Sequence, residues 1–174
     1  MIDLLRERRS IRKYEAREIE LEKIEILKEA LLLSPSSMNR KPWEFIFVDD
    51  KDLLAGLSRA KEHGAGFLRG AALGIVVCGD ETVSDVWQED CSIAAIIVQL
   101  AAQSIGLGSC WVQIRNRRHV QGMTAEEYVQ GLLGLPENLR VECIISIGYP
   151  AEKKAGITKE QLEAHKGKIR HLSA

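Results

Sequence analysis

Two stretches of the chain have the apolar spacing of helices. Apolar residues recur every third or fourth position between Leu21 and Leu31, which predicts an amphipathic helix over residues 21–33. A longer helix is predicted over residues 84–105, where positions 93–102 are apolar except for Gln99. A helix without a polar face must be covered on both sides, so we expect a second subunit to cover one side of it.

Four short runs of apolar residues between these helical patterns predict strands. They cover residues 43–48, 72–78, 109–114 and 141–147. Shorter helices are predicted at residues 2–9, from Asp50 to about Arg59, and after the capping pairs Thr124–Glu127 and Thr158–Gln161. Residues 63–70 are expected to form a mobile loop. Strands interleaved with helices indicate a central sheet in an α/β or α+β arrangement, and no linker divides residues 1–174, so we expect one domain.

Composition narrows the possible partners. The formal net charge of −1 gives no general attraction to nucleic acid or to anionic membranes, so neither is expected as a partner. The charged beginning of the chain is unlike a signal peptide, and we expect a cytoplasmic protein. The four cysteines form no Cys-x-x-Cys pair and the four histidines have no ligand spacing, which predicts buried free thiols and no metal site.

A cationic run near the start of the chain is the strongest candidate for chemistry. It contains three arginines and a serine, namely Arg8, Arg9, Ser10 and Arg12. Guanidinium groups bind phosphate through paired hydrogen bonds and stay charged at any working pH. Runs of this kind are also common on solvated faces, so the run alone leaves both interpretations open.

Two further segments favour the anion site. Residues 35–43 read Pro-Ser-Ser-Met-Asn-Arg-Lys-Pro-Trp and lead into a predicted strand, and Gly148-Tyr149-Pro150 follows another. In this order and spacing, the three segments resemble the flavin (FMN)-dependent nitroreductase family, over about residues 5–149. The resemblance implies an α+β, nitroreductase-like fold with a central, mostly antiparallel sheet flanked by helices. It also implies an interlocked homodimer with FMN sites at the subunit interface.

The resemblance also assigns residues to the cofactor. Arg8, Arg9, Ser10 and Arg12 correspond to residues that hold the FMN phosphate and ribityl chain. The loop that would reach the partner subunit's flavin contains Pro35, Ser36, Ser37, Met38 and Asn39, although a serine-rich helix stop is the alternative. Backbone contacts are implied at Ser109, Cys110 and Trp111. Lys168 and Arg170 would help to hold the phosphate, or else belong to a loose basic tail. Lys41 stands where many family members have glutamine.

The implied function is an FMN-dependent oxidoreductase without a catalytic side chain, because the chemistry takes place on flavin N5. NADH or NADPH would donate reducing equivalents, and nitroaromatic, quinone or similar electron-poor acceptors would take them in a ping-pong mechanism. The alternatives are a flavin-binding storage or sensing protein, and a reductive dehalogenase or flavin-consuming branch of the same fold. A basic patch at Arg115, Arg117, Arg118 and His119 is either a solvated loop or a site for an anionic substrate or the NADPH 2′-phosphate.

Overall fold

The computed structural model describes residues 1–120 and 122–172. Its centre is a four-stranded sheet in the order β1-β2-β4-β3, in which all neighbouring strands are antiparallel. The strands are β1 (Trp43–Val48), β2 (Leu73–Asp80), β3 (Gly108–Gln113) and β4 (Leu139–Gly148). Because the sheet is antiparallel and flanked by helices, the fold is α+β. The strand pattern in the sequence had left α/β and α+β open, and the antiparallel sheet excludes α/β.

Residues 1–120 and 122–172 contain six α-helices besides the sheet. They are α1 (Ile2–Glu7), α2 (Leu21–Leu32), α3 (Lys51–Leu57), α4 (Trp87–Ser104), α5 (Ala125–Leu133) and α6 (Lys159–Glu163). Short 3₁₀ helices occur at Ser37–Asn39, Gly66–Gly70 and Lys166–Lys168. The predicted capping signals are confirmed, since Thr124 and Thr158 form capping boxes and the Asp50 carboxylate accepts a hydrogen bond from the backbone N–H of Leu53 at 2.8 Å.

The sheet separates two apolar layers because successive strand residues point to opposite faces. Helices α2 and α4 cover one face, where Leu27 and Val98 pack against Ile75 and Ile145 of the sheet. Helices α3 and α5 cover the other face together with the 3₁₀ helix Gly66–Gly70. All four cysteines are buried and free, as the sequence predicted.

Several predicted boundaries were wrong. Helix α1 ends at Glu7 because Arg8 already has extended backbone angles, φ −59° and ψ 122°. Helix α3 ends at Leu57, and α4 begins at Trp87. The expected mobile loop over residues 63–70 is in part a 3₁₀ helix, anchored by the buried side chain of Leu68.

One face of α4 is uncovered within the chain. Ile93 and Ile96 lie on it and are 40% and 38% exposed, whereas Ala94, Ala95 and Val98 on the inner face are fully buried. Two exposed isoleucines one turn apart on this helix offer an apolar surface to another protein. Within the part of the chain that the structure describes, no helix is both long and apolar enough to cross a membrane.

Candidate functional site

The cationic run is an extended segment that lies beside β3. Ser10 pairs with Ser109 in a parallel bridge, and the backbone N–H of Ile11 donates to the carbonyl oxygen of Ser109 at 3.0 Å. The close approach requires a glycine in β3, because a Cβ atom at Gly108 would lie 2.9 Å from the Ile11 side chain. The segment is therefore fixed to the edge of the sheet by backbone contacts.

Extended geometry divides the run into two faces, since alternate residues point in opposite directions. Arg8, Ser10 and Arg12 all act on the thiol of Cys110, the two arginines through their positive charges. Arg9 lies on the other side, where its guanidinium donates to the carbonyl oxygen of Ala155. The structure thus brings three of the four predicted residues together and places Arg9 apart from them.

The pKa of the Cys110 thiol depends on the charges on this face. Burial raises its pKa, while the positive charges of Arg12, Lys154 and Arg8 and the hydrogen bond from Ser10 lower it. The positive charges of three cations therefore act on one buried position at the start of β3. Such convergence of positive charge is the property that an anion-binding site requires.

Two residues of this site were not predicted from the sequence. The Lys154 ammonium donates to the carbonyl oxygen of Ser10 and forms an ion pair of 3.2 Å with Glu152. The Glu152 carboxylate also accepts hydrogen bonds from the backbone N–H groups of Arg12 at 2.6 Å and Lys13 at 3.3 Å. The available signal was the charged sequence Glu152-Lys153-Lys154, two residues after Gly148-Tyr149-Pro150.

The guanidinium groups of Arg8 and Arg12 remain open to a ligand. Among the described residues, neither side chain forms a hydrogen bond or an ion pair, and the Arg12 guanidinium lies over the Phe67 ring, 5.7 Å from its centroid. The nearby Glu152 carboxylate is occupied by backbone N–H groups and Lys154. Two free guanidinium groups, a hydroxyl and an ammonium form a donor set that fits a phosphate monoester.

The predicted flavin-contacting loop lies at the opposite end of the sheet. Ser109 is level with Ile147 of β4, whereas Trp43, which follows the loop, is level with Arg140 of the same strand. At the usual rise of a strand, these positions are separated by about 23 Å. Within one chain, the cationic face and the loop therefore lie far apart.

The loop has an unusual backbone. Met38, Asn39 and Lys41 all have positive φ angles, of 51°, 55° and 50°. Non-glycine residues rarely adopt this left-handed conformation, which costs each of them roughly 1–2 kcal/mol. The Pro35, Met38 and Asn39 side chains are exposed, and Met38 is 80% exposed, so the loop presents them to the outside of the chain.

The remaining predicted cofactor residues are distributed unequally. Ser109 and Cys110 are buried in β3, and the half-buried Trp111 donates from its indole Nε1 to Gln113 at 2.8 Å. Lys168 and Arg170 are exposed, and no hydrogen bond or ion pair within the described ranges ties either side chain to the cationic run.

The basic patch after β3 does not act as one surface. The Arg115 guanidinium lies 5.7 Å from the Trp87 ring centroid and 3.9 Å from the Glu142 carboxylate. His119 stacks on Tyr128 with 4.2 Å between the ring centroids. Arg117 and Arg118 are exposed. Two of the four residues are thus used for packing, which favours the solvated-loop interpretation for this patch.

Comparison with known proteins agrees with this fold. The family model described as "Nitroreductase family" matches residues 5–63 and 57–149. A relative from Archaeoglobus fulgidus, described as an NADH dehydrogenase/NAD(P)H nitroreductase, is 40% identical over 151 residues, which cover 84% of this chain and 83% of the relative.

Solved structures give the same result. An FMN-dependent nitroreductase from Clostridium difficile R20291 superposes with a TM-score of 0.95 at 45% identity, covering 100% of this chain and 99% of that one. An NADH dehydrogenase/NAD(P)H nitroreductase from Parabacteroides distasonis superposes with a TM-score of 0.87 at 34% identity, covering 99% of this chain and 98% of that one. On the match of the family model and of these relatives, the chain belongs to the nitroreductase family.

Proposed function

We propose that this protein is an FMN-dependent oxidoreductase that uses NADH or NADPH to reduce electron-poor acceptors such as nitroaromatics and quinones. The observation that carries this proposal is the convergence of Arg8, Arg12 and Lys154 around Ser10 and Cys110. Relatives described as FMN-dependent or NAD(P)H nitroreductases support it. When bound, FMN would supply the redox chemistry by which reducing equivalents from NAD(P)H reach the acceptor.

The residues of the chain act by binding and orientation. Arg8 and Arg12 would hold the phosphate, and the Ser10 hydroxyl would accept or donate a hydrogen bond on the same face. Glu152 and Lys154 hold the backbone of this segment in place. The segment Ser109–Trp111 would line the cofactor through its backbone. Arg9 is assigned to the packing of the tail, because its guanidinium already binds the Ala155 carbonyl.

We propose further that the active unit is a homodimer. The uncovered face of α4, with Ile93 and Ile96, offers an apolar surface for a second copy. The loop of residues 35–39 lies about 23 Å along the sheet from the cationic face. A second subunit would bring its own loop to the first subunit's cofactor, so each site would use both chains.

The first experiment is to identify the cofactor. Purified protein should absorb in the visible range and release FMN on denaturation, near one molecule per subunit. Arg12→Ala should weaken FMN binding about tenfold to hundredfold, because it removes a charge-assisted hydrogen bond, while the fold is retained. Arg69→Ala is the matched control, since Arg69 is exposed and forms no hydrogen bond or ion pair within the described residues. A colourless protein that takes up no FMN would refute the proposal.

Kinetics would then separate the enzyme from its alternatives. A ping-pong enzyme should give parallel double-reciprocal plots when NADH or NADPH and a quinone are varied together. A storage or sensing protein would bind FMN but show no appreciable turnover with any acceptor. Release of halide from a halogenated phenol, or consumption of the flavin itself, would instead indicate another branch of the family.

A further inference from the structure

We propose that Asp90 is a positioning residue of the cofactor site, which holds the loop of residues 35–39 in the conformation that reaches the partner subunit's flavin. This inference rests on the proposed function. Asp90 binds a residue far away in the chain and does not cap its own helix, since α4 has no side-chain cap.

The contact is short and buried. Asp90 lies in the first turn of α4 and is only 3% exposed. Its Oδ1 atom accepts a hydrogen bond from the backbone N–H of Ser37 at 2.8 Å. Its Oδ2 atom is buried and has no hydrogen-bond partner among the described residues. The carboxylate is thus directed at the loop, and only one of its two oxygens has a hydrogen-bond partner in the described part of the chain.

A residue that served only the stability of the chain would not need this arrangement. Burying a carboxylate is costly unless its oxygens are hydrogen-bonded, and an apolar side chain of similar size would avoid that cost. The start of a helix favours a negative charge, but it does not provide a donor for Oδ2. A buried polar group of this kind therefore calls for an explanation beyond packing.

The loop supplies the explanation. Met38, Asn39 and Lys41 all have left-handed backbone angles, which an isolated loop would not keep. Two hydrogen bonds hold the ends of this stretch, from the Ser37 N–H to Asp90 and from the Lys41 N–H to the Ser36 hydroxyl at 2.8 Å. The ion pair of Arg40 with Asp85 is exposed and contributes little. Asp90 is therefore the buried anchor that ties the loop to α4.

Substitutions at Ser37 can test this contact while altering almost nothing else. Ser37→Pro removes the N–H group that Asp90 accepts, and Ser37→Ala removes only the hydroxyl. Proline is compatible with this position because Ser37 opens a 3₁₀ helix and Ser36 is extended, with φ −143° and ψ 157°. We expect Ser37→Pro to bind FMN about tenfold to hundredfold more weakly than Ser37→Ala does.

Variants of Asp90 give the complementary test. Asp90→Asn keeps an acceptor oxygen and should retain most of the FMN affinity, whereas Asp90→Ala should lose about as much as Ser37→Pro. Combining Asp90→Ala with Ser37→Pro should add little further loss, because both remove one interaction. In the flavin-free protein, hydrogen exchange at the Ser37 amide should be faster in Asp90→Ala than in the wild type, with the strands of the sheet unchanged.

The outcomes distinguish this inference from the proposed function. If the wild type binds FMN and Arg12→Ala weakens it, but Ser37→Pro and Ser37→Ala bind FMN equally, only the role of Asp90 is refuted. If Asp90→Ala exchanges its Ser37 amide at the wild-type rate, the hydrogen bond is refuted independently of the flavin. If the wild type binds no FMN, the proposed function fails, and the positioning role fails with it.

Discussion

The carboxylate of Glu152 binds the backbone of Arg12, accepting a hydrogen bond from its N–H at 2.6 Å. An acidic residue thus lies within a cationic site and leaves the arginine's guanidinium free. The Glu152 carboxylate holds the backbone of residues 12 and 13, and the Lys154 ammonium at 3.2 Å partly neutralises its charge. The orientation of Arg12 therefore depends on a residue near the other end of the chain.

Glu152→Gln should weaken FMN binding about threefold to tenfold, because a neutral acceptor replaces a charged one at two backbone N–H groups. The hydrogen bond from Arg12 lowers the pKa of Glu152, so the contact is present above the ordinary carboxyl pKa and is lost as the pH falls through the lowered one. Titration of the flavin fluorescence at several pH values measures this. The exposed Glu137→Gln serves as the control, and equal affinities would contradict the prediction.

Glu142→Gln should stabilise the protein at alkaline pH. Burial raises the pKa of Glu142, and the Arg115 charge opposes this only in part. The folded protein therefore binds a proton more tightly than the unfolded chain, and ionisation of this carboxyl costs stability as the pH rises. We expect Tm to increase by about 2–4 °C at pH 8 and little at pH 4. The exposed Glu29→Gln should show no such difference, and a lower Tm for Glu142→Gln at pH 8 would refute the prediction.

Gly108→Ala should destabilise the protein by about 1–3 kcal/mol and also weaken FMN binding. The new Cβ atom would lie 2.9 Å from Ile11 and push the cationic segment away from β3. Gly131→Ala is the control, because a Cβ atom there would meet no described atom within 4 Å beyond its own neighbouring turn of α5, and alanine favours helix. Urea denaturation and FMN titration of both variants measure the effect. A Gly108→Ala protein as stable as the wild type would show that the contact is not tight.

The cysteines should react slowly with thiol reagents at pH 8, and Cys110 should react first. Burial raises the pKa of Cys78 to about 12, whereas Arg12, Lys154 and Arg8 oppose the effect of burial at Cys110. Peptide mapping after partial alkylation would identify the modified residue, and inorganic phosphate should slow the reaction at Cys110. Modification of Cys91 or Cys143 ahead of Cys110 would contradict the assignment of charges.

The main elements of the fold were predictable because their signals are local. The spacing between Leu21 and Leu31 and the apolar segment 93–102 predicted α2 and α4, and turn residues separated the four strands. The pairing of β2 with β4 was not predictable from the residues themselves, since these strands are joined through a helix, a third strand and another helix. Only the family resemblance indicated that the sheet would be antiparallel.

The site was predicted in part. Arg8, Ser10 and Arg12 were identified, but the predicted helix extended to Arg9 and concealed the alternation that separates Arg9 from them. Lys154 and Glu152 reach the site because the chain returns beside its own beginning after β4, as the bridge between Tyr14 and Pro150 shows. Contacts between segments that are distant in the chain cannot be recognised from the local sequence. The cofactor roles predicted for Arg8, Ser10 and Arg12 stay predictions, as do those predicted for Lys168 and Arg170.

The distance between the cationic face and the loop of residues 35–39 has a genetic consequence in the proposed homodimer. A variant damaged at Arg12 and a variant damaged at Asn39 would each be inactive at both sites. When the two are coexpressed, mixed dimers would combine both lesions in one site and leave the other site with two undamaged halves. Two inactive alleles would then complement each other, with mixed dimers reaching about half of the normal activity.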